Sequence, residues 1–119
     1  PDTVPTHFNA AGVADSYGSK RSLVFEPVFA AFLLLFLSLM ERIPAIWNFP
    51  VAVTEENRER LYKIAMIMMG GIKVLVTALL IDVGVSSLVA GYPIWPMYMM
   101  LGAMMILIIV SIVQMVRAK

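Results

Sequence analysis

The chain consists of three long apolar runs separated by shorter polar segments. The first run, residues 23–40, contains a single charge, Glu26, near its start, and the second run, residues 61–83, is interrupted by Lys73. The third run, residues 97–116, has no charged residue. A helix of about 20 residues, rising about 1.5 Å per residue, crosses the hydrocarbon core of a bilayer. The pattern therefore predicts an all-α integral membrane protein with three transmembrane helices, near residues 23–42, 58–83 and 96–117.

Lysine and arginine are distributed unevenly between the polar segments. Residues 41–63 hold four of them and the C-terminal end holds two, whereas residues 84–96 hold none. Positive residues in short loops favour the cytoplasmic side of a membrane. We therefore predict that the C-terminus is cytoplasmic and that the chain is divided into an extracytoplasmic loop, residues 1–22, and a transmembrane bundle, residues 23–119, with a cytoplasmic connection at 43–57.

The composition excludes several classes of function. The chain is 61% hydrophobic and 14% charged, and it contains one histidine and no cysteine. The chain therefore has no cysteine thiolate that could bind a metal, and it has too few strong ligands for a structural zinc site. The sequence also shows no Ser-His-Asp set, no glycine-rich phosphate loop and no basic patch for nucleic acid. We expect a protein that is not an enzyme, holds no metal or cofactor and binds no nucleic acid.

The chain has ten methionines, and most of them cluster in the second and third apolar runs. Thioether sulfur is a soft ligand, so a copper(I) relay is one interpretation of these clusters. Methionine also fills irregular gaps between packed helices, and the helical spacing of the clusters is typical of that role. We therefore interpret the methionines as packing residues.

The polar segment from Pro1 to Lys20 has the pattern Pro-Asp-x-x-Pro-x-His-Phe-Asn-x-x-Gly-x-x-Asp-x-x-Gly-Ser-Lys. It resembles the external loop of the domain of unknown function 1648 family, which also stands at the front of SdpI-type immunity membrane proteins. Residues 49–62 are similar to that family's cytoplasmic connection. The resemblance covers the first half of the chain and implies a plasma membrane of a bacterium or archaeon. It also implies a fourth transmembrane helix upstream of Pro1.

His7, Asn9 and Asp15 are the candidate binding residues of the outer loop. One interpretation makes them a binding constellation for a metal, a peptide or a lipid headgroup. The other is that these side chains satisfy backbone groups within the loop, as short polar side chains commonly do. We favour the second interpretation, in which they order the loop.

Gly70, Gly71 and Gly102 are candidate helix-packing residues. Small residues in a membrane helix let a second backbone approach closely. We therefore expect these glycines to face other helices. These other helices could come from the upstream segment, from a second copy of the chain or from other subunits. We expect the rest of the apolar surface to contact the lipid bilayer.

Lys73 is the candidate binding residue inside the membrane. It lies roughly 14–16 Å from either interface, counted from Tyr62 and Asp82 at 1.5 Å per residue. A central lysine costs roughly 2.5–3.5 kcal/mol on insertion scales, so it needs a partner or a path to water. Glu41 is expected near the inner face, at the wrong depth to pair with it. The lysine therefore either extends toward an interface, finds a partner in the upstream helix or in a neighbouring subunit, or stays neutral.

Three functions are compatible with these features. The first is an immunity or sensor-type membrane protein whose external loop meets a partner. The second is a structural or accessory subunit of a larger membrane complex. The third, ranked below the others, is a transport element built on Lys73.

The predicted orientation can be tested by cysteine labelling in intact cells. A membrane-impermeant thiol reagent should label a cysteine at position 15, which is predicted to face outward, and should not label one at position 57. The native chain has no cysteine, so each single variant reports one position. Labelling at position 57 alone would show that the topology is inverted.

Overall fold

The computed structural model describes residues 2–119, so Pro1, the first residue of the predicted outer loop, lies outside the described residues. The described chain is mostly helical, as predicted, and three of its helical segments are long and apolar enough to span a membrane. A small two-stranded sheet is present in addition. In chain order the elements are β1 Thr3–Phe8, β2 Ala14–Ser19, α1 Phe25–Met40, α2 Arg58–Leu88 and α3 Trp95–Arg117.

The segment predicted as an outer loop forms an antiparallel β-hairpin. Thr3 is opposite Ser19 at its open end and Phe8 is opposite Ala14 near its turn. The pairing is irregular in the middle, where His7 is opposite Ser16. These strands lack the alternation of apolar and polar residues by which a strand is recognised in sequence. Backbone pairing and a tight turn hold the hairpin, so it was not predicted.

Helix α2 differs from its prediction only at its C-terminal end. Its first residue is Arg58, and the turn before it is closed by reciprocal hydrogen bonds, Thr54 N to Asn57 Oδ1 (2.7 Å) and Asn57 N to Thr54 Oγ1 (3.2 Å). Asn57 is buried, so the exposed neighbour Glu56 is the better inner position for thiol labelling. At the other end α2 continues to Leu88 instead of stopping near residue 83.

The chain turns sharply only after α2 has ended. Gly91 has a φ of +75°, in the left-handed region that glycine adopts without strain, and it supplies the turn toward α3. Helix α2 continues past Asp82 and Gly84, and both residues make tertiary contacts: Asp82 accepts a hydrogen bond from Tyr92, and Gly84 faces the side chain of Glu26. Residues that look like helix breakers in sequence are therefore used for contacts.

The three helices form a thin layer with α2 in the middle. Helix α2 packs extensively against α3 and less against α1, and no comparable packing joins α1 to α3 within residues 2–119. The Cα extents are 58 × 26 × 16 Å. In the most apolar part of the first span no residue is buried. In the corresponding parts of the second and third spans only 6% and 11% of the residues are buried. Most of the apolar surface thus faces outward, toward lipid or other helices.

Helix α1 is shorter than its neighbours, and its inner end stops partway along α2. Lys73 reaches Glu41, the residue that follows α1, and α2 continues inward for 11 further residues to Tyr62, roughly 16 Å. The lysine side chain covers only about one helical turn (5.4 Å) of this distance. Glu41 and Lys73 therefore lie at the same level of the helical layer, and the expectation that Glu41 lies at the wrong depth to pair with Lys73 is wrong.

The segment after α1 follows the inner halves of α2 and α3 without forming a long helix. Trp47 Nε1 donates to the Met40 carbonyl oxygen at 2.7 Å. Trp47 and Phe49 pack on Tyr62, with ring centroids 5.5 and 5.7 Å away. These rings border the small buried core of the inner end, which consists of Leu61, Ala65 and Met115.

The predicted packing glycines occupy different surroundings. A Cβ built at Gly71 would lie 2.6 Å from Leu107 Cδ2, so this glycine lies directly against α3. A Cβ built at Gly70 or at Gly102 would meet no atom of residues 2–119 within 4 Å. A packing role for these two stays a prediction, and it requires a helix from outside this layer.

The two adjacent glycines provide a matched test of α2–α3 packing. Gly71→Leu should destabilise the detergent-solubilised chain by about 1–3 kcal/mol, because its side chain cannot fit unless Leu107 or α3 moves. Gly70→Leu, which projects into open space, should leave the stability of the isolated chain close to wild type. Thermal unfolding followed by circular dichroism measures both. Equal stability of the two variants would contradict the observed α2–α3 contact.

Candidate functional site

The outer hairpin carries a polar pair on its exposed side. His7 Nδ1 and Asp15 Oδ1 are 2.6 Å apart, and the side chains are 69% and 44% exposed. Beside them Thr6 donates to Ser16 across the two strands at 3.3 Å. Two of the three predicted loop residues are thus brought together, on a face that remains accessible to a partner.

Asn9 shapes the turn of the hairpin and does not join this pair. Its Oδ1 accepts hydrogen bonds from the backbone N–H groups of Ala11 and Val13, both at 3.0 Å. Gly12 follows with a φ of +83°, and its N–H donates to the Asn9 carbonyl oxygen at 2.9 Å. The asparagine therefore satisfies backbone donors of the turn, a common role for this side chain.

The hairpin is held on the outer ends of α2 and α3. Val4 is 2% exposed, in the strand that packs on α2. The Tyr98 hydroxyl donates to the Ala10 carbonyl oxygen, which ties the turn to α3. A Cβ built at Gly12 would lie 2.9 Å from the Ile94 Cβ, so the turn rests directly on the α2–α3 connection. These contacts hold the hairpin in place, and the hairpin carries the exposed His7–Asp15 pair.

A second polar pair lies beneath the hairpin. The Tyr92 hydroxyl donates to Asp82 Oδ1 at 2.6 Å, and Asp82 is only 8% exposed. The hydrogen bond to this carboxylate raises the pKa of Tyr92 above its ordinary value, with desolvation and the negative charge of Asp82 adding to the effect. The pair joins the outer part of α2 to the connection that leads into α3.

The third polar cluster lies between α1 and α2, at the C-terminal end of α1. Lys73 Nζ lies 3.1 Å from each carboxylate oxygen of Glu41 and donates to Ser38 Oγ at 3.3 Å. The lysine therefore has a carboxylate partner in its own chain, and the expectation that every carboxylate lies at the wrong depth is wrong. The early end of α1 brings Glu41 within reach.

The cluster leaves one buried acceptor incompletely satisfied. Only Glu41 Oε2 accepts a hydrogen bond of good geometry from Lys73, whereas the buried Oε1 accepts none from residues 2–119. The Thr77 hydroxyl, one turn from the lysine, donates to the Lys73 carbonyl oxygen at 2.8 Å and not to the carboxylate. Glu41 thus keeps an acceptor free at the inner end of α1.

The four predicted binding residues thus lie at two separate places. His7, Asn9 and Asp15 belong to the outer hairpin, and Lys73 belongs to the cluster between α1 and α2. Within the described part of the chain, no three His, Asp or Glu side chains come close enough together to hold a metal ion. The arrangement offers hydrogen bonding and charge complementarity at both places.

Comparison with known proteins finds a family match for the N-terminal part of the chain. Residues 1–31 match the family model of the domain of unknown function DUF1648. The DUF1648 match covers the hairpin and the first part of α1, and it ends before Glu41 and Lys73. No curated protein and no solved structure matches the chain.

Several residues of these clusters were not recognised in the sequence. Glu41 was expected to lie at the wrong depth to pair with Lys73, and Asp82 served only to mark the outer end of the second span. Ser38 and Tyr92 were not among the candidate site residues. One signal could have suggested the ion pair, because a lysine within an apolar run requires a carboxylate and Glu41 ends the adjacent run.

The ion pair can be tested by a double-mutant cycle. Lys73→Met leaves Glu41 without its cation, and Glu41→Gln leaves Lys73 without its anion. Each should lower the free energy of unfolding by about 3–5 kcal/mol, the typical cost of breaking a buried pair. The double variant should recover much of this loss, since no buried charge remains unpaired.

Unfolding of the purified chain by sodium dodecyl sulfate in mixed micelles, followed by circular dichroism, measures the cycle. Lys63→Met at an exposed position of α2 is the matched control and should behave like wild type. If Lys73→Met is as stable as this control, the ammonium contributes nothing and the lysine merely extends toward an interface.

Proposed function

We propose that the chain is a non-enzymatic plasma-membrane protein related to SdpI-type immunity and sensor proteins, whose outer hairpin binds an extracytoplasmic partner. The observation that carries the proposal is the contrast between the two sides of the hairpin. Val4 and the turn are fixed on α2 and α3, while the His7–Asp15 pair on the other side is open. The DUF1648 match over residues 1–31 supports a role for this segment.

The partner proposed for this surface is an extended peptide. Strand β1 packs against α2, and almost all of β2 is exposed. The outer edge of a two-stranded sheet has backbone N–H and C=O groups available for a further strand. A peptide added along β2 would pass the polar side chains of Asp15, Ser16 and Tyr17. Backbone pairing would supply affinity and these side chains selectivity.

Crosslinking in intact cells tests the proposal. A photoreactive amino acid at Tyr17, which is 64% exposed, should form a discrete adduct with an extracytoplasmic peptide or protein. The same group at Glu56, on the predicted cytoplasmic side, is the matched control and should not form that adduct. Adding His7→Ala and Asp15→Ala should reduce adduct formation severalfold without lowering the amount of protein. An unchanged adduct yield in this variant would contradict recognition by the hairpin.

A second candidate function is that of an accessory subunit in a larger membrane complex. The thin helical layer favours it, because at most 11% of the most apolar window of any span is buried. Gly70 and Gly102 leave open space where outside helices could approach. Extraction with mild detergent at a fixed stoichiometry with other integral proteins, lost on Gly70→Leu, would favour this function. The transport element built on Lys73 ranks below both, since Glu41 and Ser38 already engage its ammonium.

A further inference from the structure

A lateral cavity lies between α1 and the outer half of α2. Its volume is about 520 Å³, within the range of about 300–1,000 Å³ typical of small-molecule sites. The lining is almost entirely apolar, and its polar side chains are Glu26 and Thr77. Along α2 the lining extends from Thr77 to Leu88, roughly 16 Å at the helical rise. The cavity has the length and chemistry to hold a hydrocarbon tail.

Small residues create the space and place a charge at its wall. Ala30 and Ala31 line the cavity from α1, and Gly84 lines it from α2. A Cβ built at Gly84 would lie 3.3 Å from both carboxylate oxygens of Glu26. Glycine therefore lets this carboxylate approach the backbone of α2 closely.

The carboxylate of Glu26 has no cationic partner in the described part of the chain. The ion pairs within residues 2–119 join His7 to Asp15, Lys20 to Asp2 and Lys73 to Glu41. Ionisable side chains within membrane segments are costly and usually mark a functional site or a path to one. A carboxylate at the wall of an apolar cavity thus calls for a cation, and no side chain of residues 2–119 supplies one.

Glu26 is also accessible from the side of the hairpin. A second cavity, of about 410 Å³, shares Glu26, Leu23 and Leu80 with the first and extends to Thr6 and Ser22. A polar headgroup could therefore lie near the outer surface, beside the carboxylate, while its tail occupies the lateral cavity.

We propose that the cleft between α1 and α2 binds an amphiphile with a cationic amine head and a single hydrocarbon tail. The charge of Glu26 selects against an anionic head, and a purely apolar occupant would leave this carboxylate uncompensated. The ammonium lies beside Glu26 and the tail lies along Ala31 toward Thr77. This site does not depend on the proposed function of the hairpin, because the His7–Asp15 face takes no part in it.

Equilibrium binding to the full chain in phosphatidylcholine nanodiscs tests the proposal. The probe is radiolabelled dodecyltrimethylammonium, and empty nanodiscs measure its partition into lipid. Dodecyl sulfate, with the same tail and opposite charge, is the matched probe. We expect saturable binding of the cation above the partition baseline and no saturable binding of the anion.

Three variants locate the binding. Glu26→Gln, which removes the charge, should weaken binding of the cation by about fivefold or more. Ala31→Leu, which fills the cavity and keeps the charge, should weaken it as well. Glu56→Gln, the same change at an exposed inner position, should have no effect.

Absence of saturable binding to the wild-type chain would overturn the proposal, as would equal binding by wild type and Glu26→Gln. Circular dichroism and gel filtration show whether each variant is folded. If Glu26→Gln does not fold, Glu26→Asp, which retains the charge, and Ala31→Leu decide the outcome. Binding retained in Glu26→Asp and lost in Ala31→Leu supports the site, and binding unchanged in Ala31→Leu excludes it.

Discussion

The ion pair between Lys73 and Glu41 is the interaction on which the arrangement of α1 depends. Packing between α1 and α2 is sparse compared with that between α2 and α3, so a charged contact at the end of α1 has a large share in holding the helix in place. Neither charge would be favourable alone, because removing one partner of a largely buried ion pair leaves the other charge uncompensated at a cost of several kcal/mol. Ser38 supports the pair by accepting a second hydrogen bond from the ammonium.

The early end of α1 has a structural consequence for the inner half of the layer. The segment that follows α1 lies against α2 and α3 without forming a long helix. Trp47 and Phe49 cover this segment against Tyr62, and Trp47 donates to the last carbonyl group of α1. These aromatic residues thus close the C-terminal end of a short helix.

The outer half is organised by polar contacts of a different kind. Tyr98 binds the hairpin turn and Tyr92 binds Asp82, so two tyrosines at this end of the helices act as hydrogen-bond donors to specific acceptors. Together with Val4 they mount a small sheet on a membrane scaffold. Because the hairpin is already held in place, binding to its exposed strand costs less conformational entropy. This is consistent with a recognition role for the hairpin.

Hydropathy by itself determined the fold class and the number of spans, because lipid requires long apolar helices and the chain has three such runs. The pattern around His7 and Asn9 also indicated the DUF1648 resemblance, which the match over residues 1–31 confirms. Helix ends were less predictable. The second span was predicted to end near residue 83, yet α2 continues past Asp82 and Gly84, which contact Tyr92 and Glu26.

Only the tertiary structure decided which polar residues meet. Lys73 and Glu41 are 32 residues apart, and their pairing depends on how far α1 extends relative to α2, which no local pattern encodes. The hairpin likewise depends on cross-strand backbone bonds and on support from α3, neither of which leaves an alternating pattern in the sequence. Gly70 and Gly71 are equivalent in sequence, and only the side on which α3 packs distinguishes them.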